Sequence, residues 1–196
     1  MDQMVPRAAA AFLMSVPGPA LADYDPSQYP AYETCALCHG LFGVSHTAKF
    51  PNLGGQKPAY IEAQLNAFLS GYRTNDGGQM ATIVTELMPE DIPLVVEWFS
   101  TQDPPEPYPA DQATGLGEAT FAELGCIGCH TNAVGEMPEV PFLTAQHAGY
   151  LAKQMKDFRD QRRDVAAFPG MHTELLAVSD DILDEIAIYL SAQPRP

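Results

Sequence analysis

The stretch CALCHG, residues 35–40, places two cysteines at a spacing of three and follows the second cysteine directly with a histidine. The same pattern returns as CIGCHT at residues 126–131. The chain has only four cysteines, and all four belong to these two motifs, so no separate disulfide framework is available. Any explanation of the fold must therefore account for both copies.

The chain is an internal repeat built around the two motifs. The segment FPNLGGQKPAYIEAQLNAFLSGYR, which starts at residue 50, aligns with VPFLTAQHAGYLAKQMKDFRDQRR, which starts at residue 140. The matched positions are Pro51/Pro141, Leu53/Leu143, Gln56/Gln146, Tyr60/Tyr150, Gln64/Gln154, Phe68/Phe158 and Arg73/Arg163. Each copy then closes with an acidic start and an apolar run, PEDIPLVVEWF and SDDILDEIAIYL. This self-similarity predicts two units of one design.

Apolar residues recur at helical spacing in both copies, and signals for strands are nearly absent. We therefore predict an all-α fold of two tandem units, residues 23–100 and 115–196, with a short helix at 121–124 that delivers Cys126. The stretch between them, TQDPPEPYPADQAT at 101–114, contains four prolines and three acids. That composition predicts an extended, semi-rigid and exposed linker.

Residues 1–22 have the features of a secretory signal peptide. One arginine precedes a short apolar run, a Pro-Gly-Pro break follows, and Ala20-Leu21-Ala22 has the A-x-A form of a cleavage site. The run is shorter than the roughly 20 apolar residues that span a bilayer, although an uncleaved anchor is the alternative. We expect cleavage after Ala22, export to the periplasm, and a mature chain that is not an integral membrane protein.

The charge is strongly acidic, with 25 acidic against 10 basic residues and a net charge of −15. Nucleic acid is therefore excluded as an expected partner. A protein with a basic docking patch is favoured, because opposite fields steer encounter. The alternative is that the acidity serves solubility alone.

C-x-x-C-H is the attachment signature of a c-type haem. Two thiols on one side of a helical turn reach both vinyl groups of a porphyrin, and the next imidazole ligates the iron. The expected covalent attachment residues are Cys35, Cys38, Cys126 and Cys129, with His39 and His130 as axial ligands. We therefore predict two covalently bound haem c groups, each of which gives a small unit an apolar centre to fold around.

Two alternatives fit the motif less well. A zinc site uses four ligands in one tetrahedral set, often from two joined CxxC pairs, but each pair here has its own histidine and its own repeat. A thioredoxin-like dithiol needs a βαβ context, which the chain lacks.

A sixth iron ligand can be sought among the methionines, because c-type cytochromes commonly use one. Met80 follows His39 by 41 residues, and Met171 follows His130 by 41. Met88 is the competing residue in the first unit, where its place at the start of the closing helix predicts a core position instead. The equal spacing favours Met80 and Met171.

With these motifs the sequence resembles cytochrome c4, the periplasmic di-haem cytochromes built from two class I cytochrome c domains. The resemblance covers about residues 32–192 and rests on CALCHG, FPNLGGQ, AYIEAQL, GYRTND with Met80, and their partners in the second unit. It implies a His/Met haem in each unit, with the carbonyls of Pro51 and Pro141 hydrogen-bonded to the proximal imidazoles. Thr131 departs from the usual glycine after the motif, and TAQ at 144–146 departs from GGQ.

Other polar residues have weaker expectations. Arg73 and Arg163 follow the long helices, where they either pair with haem propionates or act as cations at a helix C-terminus. His46, His147 and His172 are expected to be surface or packing residues.

The expected function is that of a non-enzymatic carrier of single electrons, from a quinol-oxidising complex to a terminal oxidase. The first alternative is a di-haem subunit of an enzyme complex such as flavocytochrome c sulfide dehydrogenase. The second is a small di-haem peroxidase, which the two matched methionines disfavour because that activity needs an open axial position.

Overall fold

The computed structural model describes residues 30–111, 113–130, 137–165 and 169–196. The predicted signal peptide and Thr131 lie outside these ranges. The helices are α1 (Ala31–His39), α2 (Pro58–Leu69), α3 (Gln79–Val84), α4 (Asp91–Ser100), α5 (Leu116–Glu123), α6 (Ile127–His130), α7 (Ala148–Arg159) and α8 (Asp180–Ser191), with a 3₁₀ helix at Thr173–Ala177.

The described residues form helices and loops without a strand, as the all-α prediction states. Helices α1 to α4 belong to the first repeat and α5 to α8 to the second. Proline at the start of α2 suits a position whose N–H has no partner within the helix. Asp180 and Asp181 place negative charge in the first turn of α8, where the helix dipole favours it.

Each repeat has its own apolar core, formed chiefly by its long helix and its closing helix. In the first repeat, α2 and α4 supply most of the buried side chains, and α7 and α8 do so in the second. The first cluster contains Ile61, Leu65, Phe68, Val84, Val95, Val96 and Phe99. The second contains Phe121, Leu151, Ala152, Ile186, Ala187 and Leu190. The apolar residues that recur at helical spacing in the sequence are therefore the residues that the two cores bury.

Helices α5 and α8 approach each other most closely at Gly117. A Cβ atom built on this glycine would collide with the backbone carbonyl of Glu185 on α8. Because backbone atoms cannot move aside as a side-chain tip can, this crossing requires glycine. The contact packs α5, the helix that precedes the second motif, against the closing helix.

The segment 101–111 is only partly the exposed linker that its composition predicts. Pro105 is buried, and the Tyr108 N–H donates to the carbonyl of Ser191 at 3.0 Å. The Tyr108 hydroxyl lies 3.1 Å from Nδ2 of Asn52 and 3.2 Å from Nε2 of His147. The tyrosine therefore ties the connection to both repeats, which a reading of prolines and acids alone does not reveal.

In the described part of the chain, every helix is too short or too polar to cross a membrane.

Candidate functional site

Helix α1 carries the first motif and ends at its histidine. His39 is 5% exposed, and its Nδ1 lies 2.9 Å from the carbonyl oxygen of Pro51. Since a carbonyl can only accept, Nδ1 carries the proton and Nε2 keeps its lone pair. Burial lowers the pKa of His39, an effect that the hydrogen bond to Pro51 opposes. The arrangement presents a neutral imidazole with a free nitrogen that can bind a metal.

The second motif repeats this geometry on the short helix α6. Nδ1 of His130 lies 3.1 Å from the carbonyl oxygen of Pro141. Burial lowers the pKa of His130, while the bond to Pro141 opposes the shift and the Lys57 cation adds to it. Both histidines therefore have the proline carbonyl partner that the resemblance implies.

None of the four motif cysteines, all of which lie in the described ranges, forms a disulfide. Burial raises the pKa of the Cys35 thiol to about 11 and also raises the pKa of Cys126. Reactive dithiols in CxxC oxidoreductases have lowered thiol pKa values. The raised pKa values of Cys35 and Cys126 therefore argue against a redox-active dithiol.

The three candidate methionines differ in their surroundings. Met80, on α3, is partly buried and packs against the first core. Met171 is half-buried and precedes the 3₁₀ helix. Met88 is 58% exposed, so the expectation that it is a core residue is wrong. It lies in the turn before α4, where its N–H donates to the Asp91 carboxylate at 2.9 Å instead of continuing a helix.

The three remaining histidines differ in burial. His46 is exposed, whereas His147 is 9% exposed and its Nε2–H donates to the carbonyl oxygen of Ser45 at 3.1 Å. His172 stacks on Phe158 with ring centroids 4.0 Å apart, and its Nδ1 is buried without a described partner. His147 and His172 are therefore packing residues, as expected.

The repeats meet at an interface in which matched residues exchange partners. The Gln146 side chain accepts the Asn52 N–H at 2.8 Å and donates to the Asn52 carbonyl at 2.9 Å. The Gln56 side chain makes the same two bonds to the backbone of Phe142, at 3.0 and 2.9 Å. Asn52 and Phe142 are the residues that directly follow the two proline acceptors. Each repeat therefore holds the backbone beside the other repeat's motif histidine.

Arg73 and Arg163 also cross the interface. Arg73 donates to the hydroxyl of Tyr150 at 3.1 Å and to Oε1 of Gln154 at 3.2 Å. Arg163 reaches the matched residues of the first repeat, Tyr60 at 3.3 Å and Gln64 at 3.0 Å. Each guanidinium also lies over a phenylalanine ring of its own repeat, at 4.5 and 4.6 Å from the centroid. Both arginines therefore lie at the interface between the repeats. Neither interpretation of the sequence, a propionate partner or a cation at a helix C-terminus, specifies that position.

Arg73, which is buried, and Arg163, which is partly buried, lack a carboxylate partner in the described ranges, since every ion pair found there involves other bases. Arg73 is 7% exposed, and Nε of Arg163 is buried without a described partner. Burial raises the pKa of Tyr150, but the two guanidinium charges outweigh this and lower it. Buried cations are costly unless paired, so this interface suits an anionic group.

Two residues without repeat partners add to the interface. Arg195, near the C-terminus, donates to the Gly54 carbonyl at 2.5 Å and to the Thr144 carbonyl at 3.2 Å. Burial lowers its pKa to about 10. Asn75 donates to Asp157 at 2.6 Å and to Gln154 at 2.9 Å. These contacts join the two repeats to each other at two further places.

The residues present fit a c-type haem in each repeat. Each repeat offers two thiols at motif spacing, a neutral imidazole that is buried in the first repeat and partly buried in the second, and a partly buried methionine. The paired arginines offer cationic partners for carboxylate side chains of a porphyrin. Sequence reasoning found the motif residues, but it gave no role to the matched glutamines and tyrosines. The recurrence of these residues in both copies was the only indication in the sequence that they have a role. The role itself, hydrogen bonding across the interface, is visible only in the structure.

No protein-family profile matches the chain. Individual known proteins do match it, and several of them are c-type cytochromes. The thiosulfate dehydrogenase electron acceptor of Thiomonas intermedia is 31% identical over 84% of this chain and 81% of its own length. Cytochrome c4 of Thiocapsa roseopersicina is 30% identical over 88% of this chain and 93% of its own length. The structure of Acidithiobacillus ferrooxidans cytochrome c4 superposes with a TM-score of 0.71 at 25% identity, over 83% of this chain and 99% of that one.

Fold, motifs and relatives together define a di-haem cytochrome made of two class I cytochrome c domains. Such a protein carries two covalently bound haem c groups and transfers electrons rather than catalysing a reaction. This chain belongs to the cytochrome c4 family. The predictions of fold class, cofactor and non-enzymatic electron transfer are thereby confirmed.

Proposed function

We propose that this protein is a periplasmic carrier that takes single electrons from a quinol-oxidising complex and passes them to a terminal oxidase. The observation that carries the proposal is the duplicated site, in which a histidine is hydrogen-bonded to a proline carbonyl and is followed 41 residues later by a methionine. A bound haem supplies the Fe(III)/Fe(II) couple. Two such sites in one chain allow one to receive an electron while the other donates.

The residue assignments follow the two motifs. Cys35 and Cys38 form the thioethers of the first haem, and Cys126 and Cys129 form those of the second. His39 with Met80, and His130 with Met171, fill both axial positions of each iron. With both positions filled, substrates have no place to bind and little reorganises during transfer. Pro51 and Pro141 orient the imidazoles and make them better donors.

Arg73 and Arg163 are proposed to pair with haem propionates at the interface. The support is that neither guanidinium group has an ion-pair partner in the described ranges, that Arg73 is buried, and that Nε of Arg163 is buried without a described partner. Propionate carboxylates at this interface would compensate the two cations.

Partners are proposed to dock through opposite charge around an apolar contact. Next to the first motif, Leu37 is 86% exposed and Phe42 is 59% exposed. An apolar patch on a molecule with a net charge of −15 fits a partner whose own contact is ringed by basic residues. The patch lies beside Cys35 and Cys38, the cysteines proposed to hold the first haem.

A second candidate is the electron acceptor of a sulfur-compound oxidoreductase. The Thiomonas relative has that role for thiosulfate dehydrogenase, and the flavocytochrome c sulfide dehydrogenase subunit is the related alternative. In this case the same two haems drain electrons from an enzyme to which the protein binds tightly.

The test is production in a host with c-type cytochrome maturation, followed by partner capture from the native periplasm. Denatured protein should retain two covalent haems, and the Cys126→Ala/Cys129→Ala variant should retain one. Recovery of the cytochrome alone, reduced rapidly by a quinol-oxidising complex, supports the carrier. Co-elution with a flavoprotein or a thiosulfate-oxidising enzyme supports the second candidate, and two haems in the double variant would refute the attachment sites.

A further inference from the structure

Each motif histidine is connected to the other repeat through a single peptide group. The carbonyl of Pro51 accepts from Nδ1 of His39, and the N–H of that same peptide unit, on Asn52, donates to Gln146. In the second repeat, the peptide between Pro141 and Phe142 accepts from His130 and donates to Gln56. The two connections are crossed, because each glutamine lies in the repeat opposite to the histidine that it reaches.

The glutamines are firmly placed. Gln56 is 3% exposed and Gln146 is 5% exposed. Each side-chain oxygen also accepts the N–H of the next residue, Lys57 or His147, at 3.0 Å. Each Nε2 donates back to the carbonyl that follows the bridged peptide, on Phe142 or Asn52. The oxygen and the nitrogen of each side chain are thus both hydrogen-bonded. These bonds determine that the oxygen, and not the nitrogen, faces the peptide N–H.

We propose that Gln146 tunes the reduction potential of the haem in the first repeat, and that Gln56 tunes the haem in the second. Each acts as a positioning residue through the peptide and the proximal histidine of the other repeat. This inference rests on the proposed function, in which His39 and His130 ligate the two irons.

The direction of the effect follows from the polarity of the peptide group. When the N–H is bound by a glutamine oxygen, electron density shifts toward the carbonyl, and the carbonyl becomes a stronger acceptor. The imidazole that donates to it becomes a stronger electron donor to the iron. A stronger axial donor stabilises Fe(III) over Fe(II) and lowers the potential. Loss of a glutamine acceptor should therefore raise the potential of the haem in the opposite repeat.

The experiment is a redox titration of the two-haem protein with Gln146→Met and Gln56→Met. Methionine has a similar length but cannot accept the peptide N–H. A Met80→His variant should lower the potential of the first haem only. It therefore shows which of the two waves in the titration belongs to which haem. Gln146→Met should raise the first-haem wave and leave the second in place, and Gln56→Met should do the reverse.

Tyr108→Phe is the matched control. It removes hydroxyl contacts with Asn52 and His147 at the same interface, but it does not touch either bridged peptide. Both waves should stay at their wild-type values in this variant. If Gln146→Met moves both waves together, or moves the second wave alone, or moves neither, the crossed tuning is overturned.

Gln146→Glu keeps the inference testable if the methionine variants fail to assemble. Glutamate retains an oxygen that can accept the Asn52 N–H, so the first-haem potential should stay at the wild-type value or fall below it. A rise would overturn the proposal. Failure of the proposed function has a separate signature, because the wild-type protein would then lack two six-coordinate low-spin haems.

Discussion

At the scale of single residues, Met80 and Met88 differ in their surroundings. Met80 packs against the first core, whereas Met88 is exposed in the turn before α4. Met80→His should therefore abolish the sulfur-to-iron charge-transfer band of one haem and lower its potential, because imidazole stabilises Fe(III) more than a thioether does. Absorption spectra and redox titration provide the measurements.

Met88→Leu is the control for that prediction. Since the side chain of Met88 is exposed, the variant should keep both charge-transfer bands and both potentials. The assignment of Met80 is wrong if Met88→Leu loses a band that Met80→His retains.

Motif residues could be predicted because their chemistry is local. The spacing of C-x-x-C-H specifies two thiols and an imidazole on one short segment, whatever the rest of the chain does. The role of Gln56 is different, since its partner is a backbone N–H on Phe142 in the other repeat. No local pattern indicates such a partner. The sequence could show that Gln56 and Gln146 recur, but only the packing of the repeats shows what they bind.

At the scale of the helices, the crossing of α5 and α8 depends on the absence of a side chain at Gly117. Gly117→Ala would place its Cβ against the Glu185 backbone and force the helices apart. Overpacking of this kind typically costs about 1–3 kcal/mol. Chemical denaturation of the two-haem protein should show a loss of that size.

Gly128→Ala is the matched control on α6. A Cβ at this position meets no other atom within 4 Å, and the first repeat has Leu37 at the matched place. The substitution should leave stability unchanged or raise it by roughly 0.5–1 kcal/mol, since alanine is the better helix former. A loss equal to that of Gly117→Ala would contradict the explanation by helix contact.

Asp157, on α7, links its own helix to the loop of the first repeat. Its carboxylate accepts from Asn75, from Lys153 and from Arg162. Burial raises the pKa of Asp157, but these hydrogen bonds outweigh burial and lower it below its ordinary value. The resulting stability is present above the unfolded carboxyl pKa of about 3.9 and is lost as the pH falls through the folded value.

Asp157→Asn should therefore weaken the protein at neutral pH by about 1.5–3 kcal/mol, the usual range for hydrogen bonds to charged groups. It should also flatten the loss of stability that the wild type shows below about pH 4. Denaturant titrations across this pH range test both effects. Glu62→Gln, at an exposed position on α2, should leave both unchanged.

Helix positions were predictable because one face of each long helix is buried in its own repeat. Leu65 and Leu151 are both 5% exposed, as their spacing implies. The connection was less predictable. Its prolines and acids indicate an exposed chain. Tyr108, however, binds groups that are distant in sequence, and such contacts cannot be predicted from composition.

For the whole molecule, the distribution of charge bears on docking. Residues 23–100 carry nine acids and three bases, residues 101–114 carry three acids, and residues 115–196 carry twelve acids and six bases. Every part is therefore net acidic. Steering toward a basic partner weakens as the Debye length falls from about 30 Å at 0.01 M salt to about 10 Å at 0.1 M. The bimolecular rate of reduction by a true partner should fall steeply over this range.

Electron transfer between the two haems is intramolecular and should barely respond to salt. Stopped-flow reduction across a salt series separates the two steps. A partner rate that stays flat or rises with salt would mean that docking is apolar and that the acidity serves solubility.

The reciprocal contacts between the repeats have the pattern of an isologous dimer, in which residue i of one subunit meets residue j of the other and the reverse. Gln56 and Gln146 exchange backbone partners, and Arg73 and Arg163 exchange tyrosines. The two repeats thus meet as the subunits of such a dimer do, but within one chain. Because each repeat has its own stretch of the sequence, the two halves are free to differ. The shared contact limits that freedom, because a change on either side of it alters both halves at once.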